Sequence, residues 1–221
     1  MRYFGGKARI ASKIIPIITK SRKGIYVEPF VGGCNTFCRM ANPKIGMDII
    51  PELIELWESI QNGWEPPRIV TPEMYKMAKE GLITGAERAF IGFGCSFGGK
   101  WFGGYARSAG RNYAENAYNS LMKKRPGIKG ADFRVQNYFT FDISDATIYC
   151  DPPYAGHVKP GTRSNFDHDI FWEHTKYLAT KNTVFVSEVE APFGEVVWEQ
   201  TVAIDMQTSN RMRTEKLYKI V

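Results

Sequence analysis

Three short β-rich runs govern how this chain can fold, because each stops at residues that end a strand and begin a turn: GIYVEPFVGG at 24–33, KIGMDI at 44–49 and ATIYCDPPY at 146–154. The first ends in a glycine turn. The second ends near Asp48, just before Pro51, which opens the helix-forming stretch ELIELWESI; the third ends at two prolines. Short apolar runs bounded by Gly, Pro and Asp, alternating with helix-period segments, predict parallel strands joined by helical crossovers. Upstream, Ile10, Ile14, Ile17 and Ile18 recur at helical spacing, which predicts a helix over 8–18 entered through FGGK. A short helix is also expected over 35–40. DFRVQNY and NTVFVSEV supply further strands, a helix falls around 171–180, and EVVWEQTVAID with RTEKLYKIV alternates as an antiparallel pair does. The expected fold is therefore α/β, a doubly wound, mostly parallel sheet that finishes in a C-terminal antiparallel hairpin.

The character of the chain changes over 63–130, where two helical pieces, EMYKMAKEGL and GAERAFIGFGCSF, precede the glycine, aromatic and basic segment GGKWFGGYARSAGRNY and a further helix, AENAYNSLMKKRPG. We expect one body built from 1–62 and 131–221, with 63–130 inserted into it. A length of 221 residues accommodates such an arrangement, and 43% hydrophobic residues are too many for a disordered chain. Lys and Arg number 29 against 23 acids, and the resulting charge of +6 favours a polyanionic partner such as nucleic acid.

The opening is basic and then apolar, as a secretory leader is, but Lys13 and Pro16 interrupt it and no small-residue cleavage site follows. No window approaches the ~20 apolar residues of a membrane span. A cytoplasmic protein with no membrane partner is expected. Cys34, Cys38, Cys95 and Cys150 form no paired framework and read as reduced thiols. Cys34 and Cys38 stand one helical turn apart, but no second pair matches them, and His157, His168 and His174 lack zinc spacing, so no metal is expected.

The DPPY stretch carries the strongest chemical signal. Each proline fixes its own φ and removes a backbone donor, and the residue before a proline is pushed to extended geometry. Asp151, Pro152 and Pro153 thus form a stiff arch beyond a strand end, where the Asp151 carboxylate and the Pro152 carbonyl can converge on one point. Two acceptors with no donor between them suit a planar amino group with two N–H hydrogens, and Tyr154 supplies a flat face for the ring that carries it. A proline-rich turn is the plain alternative. These four residues are the candidate catalytic set.

The candidate cofactor turn is EPFVGG, comprising Glu28, Pro29, Phe30, Gly32 and Gly33, at the tip of the first strand. A tight turn explains F-x-G-G nearly as well, but Asp48 at the tip of the next strand could accept from ribose hydroxyls. The absence of G-x-G-x-x-G argues against a nicotinamide dinucleotide; a nucleoside with a charged tail fits better. Tyr3, Gly5, Gly6 and Lys7, in Y-x-G-G-K before a helix, could hold a carboxylate through main-chain N–H groups and an ammonium. A solvated surface lysine is the alternative.

Together, RYFGGK, YVEPFVGG, the acid of GMDII and YCDPPY resemble, in content and order, the Dam-like D12 class of DNA adenine methyltransferases; FVSEVEAP and RMRTEKLY resemble that family's later strands. The resemblance implies the class I S-adenosylmethionine-dependent methyltransferase fold, S-adenosylmethionine as methyl donor, the 6-amino group of a flipped adenine in double-stranded DNA as acceptor, and a bacterial or phage-infected cell as setting. By the family pattern Tyr3 and Lys7 would contact the cofactor, Asp48 its ribose, and Asp151 would lie between cofactor and target, with Tyr138 bordering the cofactor's adenine. The inserted 63–130 falls where this family keeps its target-recognition region. There Lys100, Arg107 and Arg111 interleave with Trp101, Phe102 and Tyr105 and suit phosphate contacts, although a solvated basic loop accounts for any one of them. FGGKWFGG departs from the family's asparagine-glycine-leucine recognition pattern, so its target sequence is not carried over. Rival expectations are a methyltransferase acting on an amide or amine of protein or RNA, and a non-catalytic DNA-binding relative.

Overall fold

The computed structural model describes residues 1, 3–154, 166–203 and 212–221. Arg2 of RYFGGK, residues 155–165 including His157, the last two residues of EVVWEQTVAID, and Arg211 lie outside the described residues.

Strands β1 (Tyr26–Glu28) and β2 (Lys44–Asp48) are buried at every position, as strands covered on both faces must be. With β3 (Asp132–Val135), β4 (Thr147–Cys150) and β5 (Thr183–Glu188) they form the parallel part of one seven-stranded sheet. The hairpin of β6 (Glu195–Ala203) and β7 (Met212–Ile220) completes it, β7 pairing antiparallel with β5. The order is β3-β2-β1-β4-β5-β7-β6. It is the doubly wound sheet with a C-terminal antiparallel hairpin expected from the sequence, and the order of the class I methyltransferase fold. It reverses between β1 and β4, so the EPFVGG and DPPY turns open into one crevice at the carboxyl ends of the strands.

Helix α1 (Ala11–Lys20) starts three residues later than its apolar spacing predicts. Residues 3–7 form a separate turn closed by Gly6 N–H to Tyr3 C=O at 3.0 Å, and the amides of Ile10 and Ala11 are taken by Lys7 C=O. Helix α2 (Pro51–Gln61) begins at its proline and buries Leu53, Ile54, Leu56, Trp57 and Ile60. The Trp57 indole donates to Gly32 C=O at 2.9 Å, which ties that helix to the glycine turn.

The short helix expected over 35–40 reduces to a single tight turn, Phe37–Arg39. Lys44 explains it. Its buried ammonium donates to the carbonyls of Phe37 at 2.9 Å and Met40 at 2.6 Å, which draws the segment out of an α-helical course, and to Gly127 C=O at 2.5 Å. A buried lysine whose charge is met by three carbonyls replaces the helix bonds that the segment forgoes.

Residues 63–130 contribute α3 (Pro72–Glu80), α4 (Gly85–Ala89) and α5 (Tyr113–Ile128). They do not build a core of their own. Tyr75, Phe90, Ile91, Phe93 and Leu121 pack in the same cluster as Ile14, Trp57 and Tyr149. Near the end of α5, a Cβ at Gly127 would lie 1.9 Å from Cys38 C=O, so only glycine lets this helix close on the segment after the glycine turn. Among the described residues no helix is long and apolar enough to cross a membrane.

Candidate active site

Asp151 follows β4 at the reversal point, with Pro152 buried and Pro153 exposed. Its carboxylate is one-fifth exposed and lies 2.5 Å from the ammonium of Lys7, which is itself 7% exposed. The same ammonium donates to Gly5 C=O at 3.2 Å and sits 4.3 Å from the centre of the Tyr154 ring. Two turns far apart in the chain, FGGK and DPPY, therefore meet at one cation. Burial raises the Asp151 carboxyl above its ordinary range, and Lys7 opposes that rise by charge and hydrogen bond. The sequence expectation set Lys7 near a cofactor's carboxylate; here its partner is Asp151.

Tyr3 covers the glycine turn. A Cβ at Gly32, where φ is +43°, would fall 2.8 Å from a ring carbon of Tyr3, and one at Gly33 2.8 Å from Tyr3 Cβ. The close approach these glycines permit is thus to Tyr3. The Gly32 N–H donates to Asp48 Oδ2 at 3.1 Å and the Ile50 N–H to Oδ1 at 3.2 Å. Asp48 is 8% exposed, and burial pushes its carboxyl up to about 6 against those two amides. Glu28 faces inward, accepts from the Tyr26 hydroxyl at 2.6 Å, and is pushed up by burial to about 8.

Beyond the tip of β1 stands an aromatic wall. Phe30 lies 5.1 Å from Tyr138, 5.7 Å from Phe166 and 6.0 Å from Phe171, centre to centre. Tyr138 is buried and its hydroxyl bonds Thr175 at 2.7 Å, so the half-exposed members of this group are Phe30 and Phe166. Phe166 escaped the sequence reading; its only signal is an aromatic just before Asp167, which caps α6 (His168–Ala179).

Lys100, Arg107 and Arg111 are exposed. The segment around them is tied down: Phe102 N–H bonds Gly92 C=O at 3.0 Å, Ala106 N–H bonds Cys95 C=O at 2.8 Å, and the Tyr105 hydroxyl donates to Val70 C=O at 2.7 Å. Trp101 and Phe102 pack on each other and under the Arg88 guanidinium. Lys100 lies 4.7 Å from the Phe4 ring, and the Phe4 N–H bonds Gly99 C=O at 3.2 Å, which joins this segment to FGGK. Among the described residues no group of three or more metal-ligating side chains is found.

The chain is 27% identical over 217 residues to the modification methylase StsI of Streptococcus sanguinis, a match that takes in 82% of this chain and 32% of the relative. The chain thus spans about a third of the length of the curated relative it matches. Among solved structures, the rRNA methyltransferase aviRa of Streptomyces viridochromogenes aligns at 11% identity over 98% of this chain and 86% of that one, with a TM-score of 0.47. A magnesium protoporphyrin IX methyltransferase of Synechocystis aligns at 7% identity over 97% and 79%, with a TM-score of 0.42. Over residues 3–82, which include the FGGK turn, the glycine turn and Asp48, the chain matches the family of D12 class N6 adenine-specific DNA methyltransferases.

Proposed function

We propose that this chain is a site-specific DNA adenine methyltransferase that uses S-adenosylmethionine to methylate the 6-amino group of an adenine turned out of duplex DNA. One observation carries the reading: the Asp151 carboxylate already holds a nitrogen donor, the Lys7 ammonium, at 2.5 Å and against the Tyr154 ring. An exocyclic amino group on a stacked base would make the same pair of contacts. The D12 match over 3–82 and the likeness to a modification methylase support it.

The residues of the crevice fit the cofactor. A carboxylate whose charge is costly, Asp48, gains from hydroxyl donors such as those of a ribose. Phe30 and Phe166 offer half-exposed apolar faces to a purine. When bound, the cofactor would supply an electrophilic methyl group. Lys7 must leave Asp151 for the target amino group to enter, and its freed ammonium then suits the carboxylate of the cofactor's tail.

The amino nitrogen of adenine is a poor nucleophile because its lone pair is delocalised into the ring. Accepting both N–H hydrogens at Asp151 and the Pro152 carbonyl draws that nitrogen towards tetrahedral geometry, and its lone pair turns to the methyl group. Positioning and preorganised charge supply the rate. A neutral thioether would be the leaving group as the sulfur–methyl bond gives way, and the methylated amino group then loses its proton to water, so no strong base is required. Tyr154 would stack on the extruded base. Residues 63–130 form the target-recognition region in this reading, with Lys100, Arg107 and Arg111 on phosphates.

The test is transfer of labelled methyl to duplex DNA of diverse sequence. Incorporation by the native chain and none by Asp151→Ala with an unchanged circular-dichroism spectrum are expected; no incorporation into any DNA overturns the proposal.

A further inference from the structure

Tyr154 is gripped from a strand that carries none of the four motifs and lies outside the matched 3–82. Its hydroxyl donates to Oε2 of Glu215 at 2.6 Å. The other oxygen of that carboxylate accepts from the Arg213 guanidinium, two residues earlier on β7. Glu215 is 4% exposed, and a buried carboxylate is tolerated only when paired and hydrogen-bonded. Here the tyrosine hydroxyl meets one oxygen and a cation the other. The Arg213 guanidinium also lies 5.0 Å from the centre of the Tyr154 ring, against 4.3 Å for the Lys7 ammonium.

The sheet explains why Glu215 reaches this point. The next residue, Lys216, pairs with Glu188, the last residue of β5, and β5 runs parallel to β4, which ends immediately before Asp151. Glu215 therefore stands at the crevice edge of the sheet, beside the DPPY arch. The arch is stiff as far as Pro153, and Tyr154 lies just past the second proline.

The geometry points to Glu215 as a positioning residue that acts through Tyr154: it fixes the ring beside Asp151 before a base arrives, with Arg213 neutralising its charge. The inference rests on the reading above, in which that ring receives the target adenine. A ring already held in place loses less freedom on capturing the base, and the amino group is delivered to Asp151 in one orientation.

Glu215→Gln keeps the size of the side chain and removes its charge, Glu215→Ala removes the grip, and Tyr154→Phe removes the hydroxyl alone. Each of Glu215→Ala and Tyr154→Phe is expected to lower kcat about tenfold, as loss of one hydrogen bond to a charged group does. The double variant should be no slower than either single one, and Glu215→Gln should fall between Glu215→Ala and the native chain. Cofactor affinity should be unchanged throughout. A double variant whose losses multiply overturns the inference, because independent sites add in free energy.

A second readout needs no turnover. With 3-fluorotyrosine at 154, the fluorine resonance of the ligand-free protein should shift and broaden in Glu215→Gln and Glu215→Ala, and an unmoved resonance overturns the inference. If the native chain transfers no methyl group, the proposed activity fails while the fluorine signal still decides whether Glu215 holds the ring.

Discussion

The Lys7 ammonium contacts the Asp151 carboxylate at 2.5 Å and lies over the Tyr154 ring, so an acid, a cation and an aromatic face meet at the reversal point of the sheet. Lys7 is the main influence that opposes the upward push of burial on the Asp151 carboxyl. Replacing it by Met removes the opposing charge, and the Asp151 pKa rises further. In the proposed mechanism the ionised carboxylate is the working form, so the acidic limb of the kcat/KM profile should move to higher pH. Lys7→Arg, which keeps the charge, should leave the limb near its native position. A limb that stays put in Lys7→Met would contradict the role assigned to the pair.

Glu28 makes a prediction about stability. Its folded-state pKa of about 8 lies above the ordinary 4.5, so between those values the folded protein holds a proton that the unfolded chain has lost. Stability contributed by this group must therefore fall as pH rises from about 4.5 to about 8. Glu28→Gln has no charge to desolvate and keeps an acceptor for Tyr26. Thermal melts should show the variant gaining on the native protein as pH rises from about 4.5 to about 8; a constant difference across that range would contradict it.

At the glycine turn, Gly32→Ala places a methyl 2.8 Å from the Tyr3 ring at a φ of +43°. The ring must move and the backbone is strained, at a cost of about 1–2 kcal/mol. Calorimetry of cofactor binding should show weaker affinity in this variant than in Gly98→Ala, where the added methyl meets nothing within 4 Å although φ is also positive.

Lys124 couples residues 63–130 to the same turn. From α5 its ammonium reaches Gly33 C=O and, at 2.8 Å, Asn35 Oδ1. Lys124→Met leaves both acceptors without their donor, and cofactor affinity should fall about tenfold, in line with a lost charge-assisted hydrogen bond. Titration with the cofactor reads this directly, without DNA.

If Lys100, Arg107 and Arg111 contact phosphates, neutralising any one of them should weaken binding to duplex DNA regardless of sequence and reduce the salt slope by about one. Fluorescence anisotropy over a range of salt concentrations measures both. An unchanged slope rejects the phosphate role for that residue.

The strands were legible because each is a short apolar run that ends at Gly, Pro or Asp, and the reversal of strand order follows once β1 and β4 are recognised. What tertiary contacts decide was not. The segment 35–40 has helical spacing, but the Lys44 ammonium claims the carbonyls of Phe37 and Met40. The glycines at 32 and 33 announced a close approach without revealing that Tyr3 is what approaches. The glycine, aromatic and basic composition of 98–113 carries no sign of the backbone bonds from Phe102 and Ala106 that fasten it to 92–95. Glu215 sits in an alternating strand, RTEKLYKIV, where an acid reads as a solvent-facing position; only the pairing of β7 with β5 brings it to Tyr154.

The proposed amino-group clamp is tested most directly by identifying the methylated atom. Duplex DNA incubated with the protein and labelled S-adenosylmethionine is digested to nucleosides and analysed by mass spectrometry. The label should appear in N6-methyladenine with the native chain and vanish with Asp151→Ala. Label on cytosine, or on RNA or protein in place of DNA, would contradict the account.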